Sequence, residues 1–134
     1  MATVPLISDE AACPEALAVF DDIRRKRNTD YVNNFWRARD NDPAQLQAVW
    51  DRLQSVMGPG TLDPLVKEMV YIAVSVANGC GYCVHSHTAA ARAKGMTAAQ
   101  HGELMAVIAM ASQTNALATT MQVETDARFS VSGD

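Results

Sequence analysis

The sequence predicts an all-α fold, a compact bundle of about six helices. Three observations carry this. Strand signals are nearly absent, and the helix formers Ala, Leu, Met, Gln, Arg and Glu recur along the chain. Turn residues fall between stretches of helical length. Within those stretches apolar side chains recur three and four positions apart, the spacing of one helical face.

Pro14 opens a first helix through about Arg25, with Leu17, Phe20 and Ile23 on one face. Thr29 or Asp30 is placed to cap a second carrying Val32, Phe35 and Trp36. Asn41-Asp42-Pro43 is a stop and restart, with Asp42 as N-cap and Pro43 at the first helical position. The helix that follows sets Leu46, Val49, Trp50, Leu53, Val56 and Met57 on one stripe, read as core or subunit interface. Gly58-Pro59-Gly60 ends it. Asp63-Pro64 opens the next, apolar through Leu65, Met69, Ile72 and Val76 and broadened by Val66, Val70 and Val74. A helix this apolar around its circumference is expected to be central. Asn78-Gly79 ends it.

A further helix runs from near Cys80 to Lys94, with Gly95 at its end and Arg92 and Lys94 complementing the dipole of its last turn. Thr97 and Gln100 have capping-box spacing and open a helix through about Ser112. Thr114 is placed to cap a last helix with Leu117, Met121 and Val123. Ser130 to Asp134 are expected to fray.

The 134 residues suit one domain, taken as 1–134, with 49% hydrophobic and 19% charged residues. The net charge is −4, and the basic run Arg24-Arg25-Lys26 lies beside Asp21 and Asp22, so nucleic-acid binding is not expected. No uncharged segment is long enough to span a bilayer, and no basic-then-apolar leader begins the chain. The expectation is a cytoplasmic protein without membrane attachment. Short helices leave a limited core, which subunit packing would complete.

Chemistry concentrates in Gly79-Cys80-Gly81-Tyr82-Cys83-Val84-His85-Ser86-His87. At about 100° per residue Cys80, Cys83 and His87 share one helical face, within roughly 60° of one another. His85 and Tyr82 point elsewhere. The sulfurs fall in the first turn, where free N–H groups and the helix dipole stabilise a thiolate. Lowering a thiol from ~8.5 to ~6.5 corresponds to roughly 2.7 kcal/mol. Cys83 is the sulfur nearer the His87 base, while the helix N-terminus favours Cys80. Glu68 is the second anomaly, a carboxylate on an apolar stripe that needs a partner or a raised pKa. A very short turn makes the two helices antiparallel neighbours, so Glu68 can meet His87 and fix its tautomer. The result is a Glu–His–Cys relay.

Glu68, Cys80, Cys83 and His87 together form Glu-x(11)-Cys-x-x-Cys-x-x-x-His. With this pattern the sequence resembles the alkylhydroperoxidase AhpD-like branch of the carboxymuconolactone decarboxylase superfamily. The specific match covers about residues 61 to 95, and residues 31–43 look like the family's upstream helices more loosely. The resemblance implies an all-helical homo-oligomer, trimeric or hexameric, that reduces hydroperoxides. In that scheme Glu68 and His87 relay a proton, Cys80 and Cys83 cycle through a disulfide, and an external thiol or lipoyl-type donor reduces it. Tyr82 precedes the second cysteine where the peroxidase proper can have His, and His85 is an extra imidazole. Both are candidate pocket residues.

No cofactor is implied. A structural zinc usually needs a second ligand pair, and Cys13 and His101 do not supply one. Cys13 reads as a bystander thiol and His101 as solvated. Two other readings share the motif. One is a non-enzymatic redox sensor. The other is lactone decarboxylation by Glu68 and His87, against which the cysteine pair argues.

Overall fold

The computed structural model describes residues 1–129. The fraying expected at Ser130–Asp134 lies outside them. The described residues form six α-helices and one 3-10 turn at Ala127–Phe129, with no strand among them. The helices are α1 (Pro14–Arg27), α2 (Asn34–Arg39), α3 (Pro43–Met57), α4 (Pro64–Ala77), α5 (Gly81–Ala93) and α6 (Ala98–Met121). They fall into two compact units, Met1–Gly58 and Pro59–Asp134.

The first unit is built on aromatic and aliphatic packing. Ala16, Val19, Phe20 and Ile23 of α1 meet Val32, Trp36 of α2, and Leu46 and Trp50 of α3. Trp36 and Trp50 pack edge to face at 5.2 Å. Each large side chain so buried contributes about 1.5–3 kcal/mol. The Trp50 indole N–H donates to Asp22 Oδ2 at 2.7 Å, so the polar end of the largest core residue is satisfied. That bond comes first among the influences that lower the Asp22 carboxyl to about 2, followed by the hydrogen bond from Lys26. Asp42 caps α3 by accepting from the Gln45 N–H, with Pro43 behind it, as its sequence dictates.

Three boundaries differ from the sequence expectation. α1 continues to Arg27, and the second helix starts only at Asn34, with Asn33 rather than Thr29 or Asp30 at the N-cap position and no side-chain capping bond there. Asn28 stops α1 in the left-handed region at φ 49°, and Thr29 accepts from the Tyr31 N–H within the connecting turn. In the second unit the two expected C-terminal helices are one, α6. Thr114 does not cap; its hydroxyl donates back to the Met110 and Ala111 carbonyls and stays inside the helix. Val123 lies beyond the end of α6.

α4 is not enclosed as its composition suggested. Ile72 is buried, but Val66, Val70, Val74 and Val76 are exposed. Among the described residues of its unit, α4 packs mainly against α5 and α6. Its apolar core is small: Ile72, Ala91 and Met96, flanked by Leu65, Met69, Leu104 and Ile108. Beyond Ile108 every residue of α6 is exposed. No helix of the described residues is long and apolar enough to cross a membrane.

Candidate active site

The α4–α5 hairpin carries the site. Asp63 caps α4 by accepting from the Leu65 N–H, with Pro64 at its first position. At the other end Gly79 adopts φ +68°, a conformation costly for other residues, and turns the chain. The Cys80 N–H then donates to the Ser75 carbonyl at 2.9 Å, locking the turn to the last turn of α4. α5 therefore starts at Gly81, antiparallel and adjacent to α4.

Cys80 is the N-cap of α5, and its Sγ accepts the Cys83 N–H at 3.3 Å. Cys80 and Cys83 are joined by a disulfide, with Cα atoms 5.3 Å apart. One N-terminal amide thus points at a sulfur, the arrangement that favours a thiolate once the bond is reduced. His87 follows Cys83 by one helical turn.

Glu68 is 4% exposed, on the α4 face turned to α5. Its Oε2 lies 2.7 Å from His87 Nδ1 and its Oε1 2.8 Å from Lys94 Nζ. Burial pushes this carboxyl up, but the hydrogen bonds from His87 and Lys94, with the Lys94 charge ahead of the His87 charge, hold it below its ordinary value. Glu68 is an ionised acceptor, and it fixes His87 with Nδ1 as the donor. Nε2 of His87 forms no hydrogen bond among the described residues, leaving it available to take a proton. Tyr71 stacks on the imidazole, ring centroids 3.5 Å apart and 18° from parallel.

All four residues of the sequence motif lie in this hairpin, and Glu68 and His87 meet as its short turn dictates. Tyr82 and His85 sit on exposed sides of α5. His85 makes no hydrogen bond, ion pair or ring contact among the described residues. Cys13 is a free thiol against the first unit's core, at the N-cap of α1. Among the described residues no group of three or more His, Cys, Asp or Glu is placed to hold a metal ion.

Two contributors escaped the sequence reading. By position Lys94 complements the helix dipole, yet it also follows His87 by two turns and so shares its face. Tyr71 follows Glu68 by three residues, on the same side of α4. Both could have been found by extending the Glu68 and His87 stripes by one or two turns.

Known proteins resemble this chain in sequence and in fold. Residues 43–125 match the Carboxymuconolactone decarboxylase family. The crystal structure of the alkylhydroperoxidase AhpD core from Rhodospirillum rubrum superposes with a TM-score of 0.94, at 58% identity over 98% of both chains. Alkyl hydroperoxide reductase AhpD of Solibacter usitatus is 39% identical over 84 residues, 63% of this chain and 42% of that protein. The protein of the same name from Maricaulis maris is 35% identical over 82 residues, 61% of this chain and 42% of its own length. The chain thus spans about two fifths of the length of these curated relatives. It belongs to the carboxymuconolactone decarboxylase family, in its AhpD-like branch.

Proposed function

We propose that the protein is a thiol-dependent hydroperoxide reductase in which Cys80 and Cys83 cycle between dithiol and disulfide, served by His87 and Glu68. One observation carries the reading: a disulfide at the start of α5, one turn before an imidazole held by a buried carboxylate. In the reduced protein His87 Nε2 takes the proton of a thiol. The thiolate attacks one peroxide oxygen, the O–O bond breaks, and the alkoxide leaves as alcohol with that proton. The sulfenic acid formed is attacked by the second thiol, releasing water and closing the disulfide. An external dithiol, of the lipoyl kind, returns two electrons and two protons by exchange. The relatives named as alkyl hydroperoxide reductases support the substrate class. Copies of the chain packed on the exposed Val66, Val70 and Val74 would form the homo-oligomer, which sedimentation can count.

The test is stopped-flow oxidation of the reduced protein by a panel of hydroperoxides, with free thiols counted before and after. Two thiols lost per peroxide consumed, and a large rate loss in His87→Ala, are expected. Thiols that oxidise without peroxide preference would favour redox sensing. Lactone chemistry surviving Cys80→Ser with Cys83→Ser would favour the acid–base alternative.

A further inference from the structure

We propose that Lys94 is a positioning residue of this site: by occupying Oε1 of Glu68 it lets Oε2 orient His87 without drawing a proton onto the imidazole. The inference rests on the peroxidase reading and adds to it a residue outside the four-residue motif.

The argument begins with one charge and two donors. Glu68 is almost fully buried, and an ionised carboxylate there is costly unless it is paired and hydrogen-bonded. Each of its oxygens has one partner, Lys94 Nζ at 2.8 Å and His87 Nδ1 at 2.7 Å. With Lys94 countering the negative charge, Glu68 acts on His87 mainly as a hydrogen-bond acceptor. The imidazole keeps its Nδ1 proton and an open lone pair on Nε2. Without Lys94, His87 would be the remaining counter-charge for Glu68. The favoured state would then be an imidazolium–carboxylate pair, which cannot accept a proton from a thiol.

The placement fits this role. Lys94 is the C-cap of α5, so a single helix supplies both donors to one carboxylate on α4. The two donors approach different oxygens and do not compete for one lone pair. Tyr71 closes one face of the imidazole by stacking. The same helices carry other titratable groups. Lys67 of α4 points its Nζ at Gly60. His85 and Arg92 of α5 are exposed. His101 and Glu103 of α6, which packs on α4, form no hydrogen bond or ion pair with Glu68 among the described residues.

The test uses histidine ring nitrogen NMR on the full chain with the disulfide closed, titrated in wild type, Lys94→Met and Lys94→Arg. Lys94→Met is expected to raise the His87 titration midpoint by roughly one pH unit. Lys94→Arg should return it to the wild-type position, since it restores the charge. In the reduced protein the acid limb of the peroxide oxidation rate should move upward with it. A folded Lys94→Met whose His87 midpoint does not move overturns the proposal. If that variant does not fold, Lys94→Gln supplies the same reading. If wild type ignores every peroxide, the peroxidase reading falls alone, because the His87 titration still decides the role of Lys94.

Discussion

The two units bury different things. The first encloses Phe20, Ile23, Leu46 and two tryptophans, and its polar groups serve that core. The second encloses three apolar residues, together with Glu68 and Ser75. Valines of α4 and methionines of α6 are left on its surface. One unit gains its stability from apolar packing. The other gives part of its interior to a carboxylate paired with His87 and Lys94, and leaves apolar side chains exposed. Stability and chemistry are therefore separable in this chain by position.

Nature supplies a probe for each half. Both tryptophans lie in the first unit and both disulfide cysteines in the second, so fluorescence and thiol counting read them apart. The sharpest break is His87→Ala. It should slow peroxide oxidation of the reduced protein by about 100- to 10,000-fold while leaving the tryptophan-monitored unfolding curve in place. Trp50→Ala should do the reverse. It should cost ~3–5 kcal/mol in that curve and leave the oxidation rate of the folded fraction unchanged. A fall in both readouts for either variant would erase the distinction between the units.

Smaller changes sharpen it. Asp22→Asn removes the charged acceptor of the Trp50 indole and should cost about 1–2 kcal/mol at neutral pH. The Asp22 pKa is lowered in the folded state, so its contribution is present above the ordinary carboxylate value near 4. It is lost as pH falls to about 2. Thermal melts across that range should show a slope in wild type that Asp22→Asn flattens. Glu68 obeys the same sign, its folded value also lying below the ordinary one. The disulfide-bearing unit should therefore weaken as pH falls below the ordinary carboxylate value, read by amide exchange in α4 and α5. The smallest effect is at the α6 capping box, where the Thr97 hydroxyl accepts from Gln100 N–H and the Gln100 side chain accepts from Thr97 N–H. Thr97→Ala should cost about 1 kcal/mol without altering thiol chemistry.

Local signals in the sequence were enough for much of this. Asp42-Pro43 and Asp63-Pro64 each open a helix because a side-chain acceptor and a donor-free residue stand where the helix needs them. Glu68 was legible because a charge on an apolar stripe demands a partner, and the short Asn78–Cys80 turn leaves His87 within reach. What escaped depends on competition between neighbours. Thr114 has a capping side chain, but its hydroxyl found a carbonyl one turn back, and α6 ran on. α4 looks central by composition, yet how much of it is covered depends on how many helices pack on it. Lys94 reads as a dipole partner until α4 places a carboxylate opposite.

The locked turn at Gly79 and Cys80 also bears on how the site comes into being. Glu68 and Lys94 are 26 positions apart, and Glu68 and His87 only 19. Bringing them together closes a short loop that is mostly helix, which is fast and costs little chain entropy. Carboxylate, imidazole, cation and cysteine pair are thus carried by one contiguous stretch of chain. That stretch can assemble early in folding.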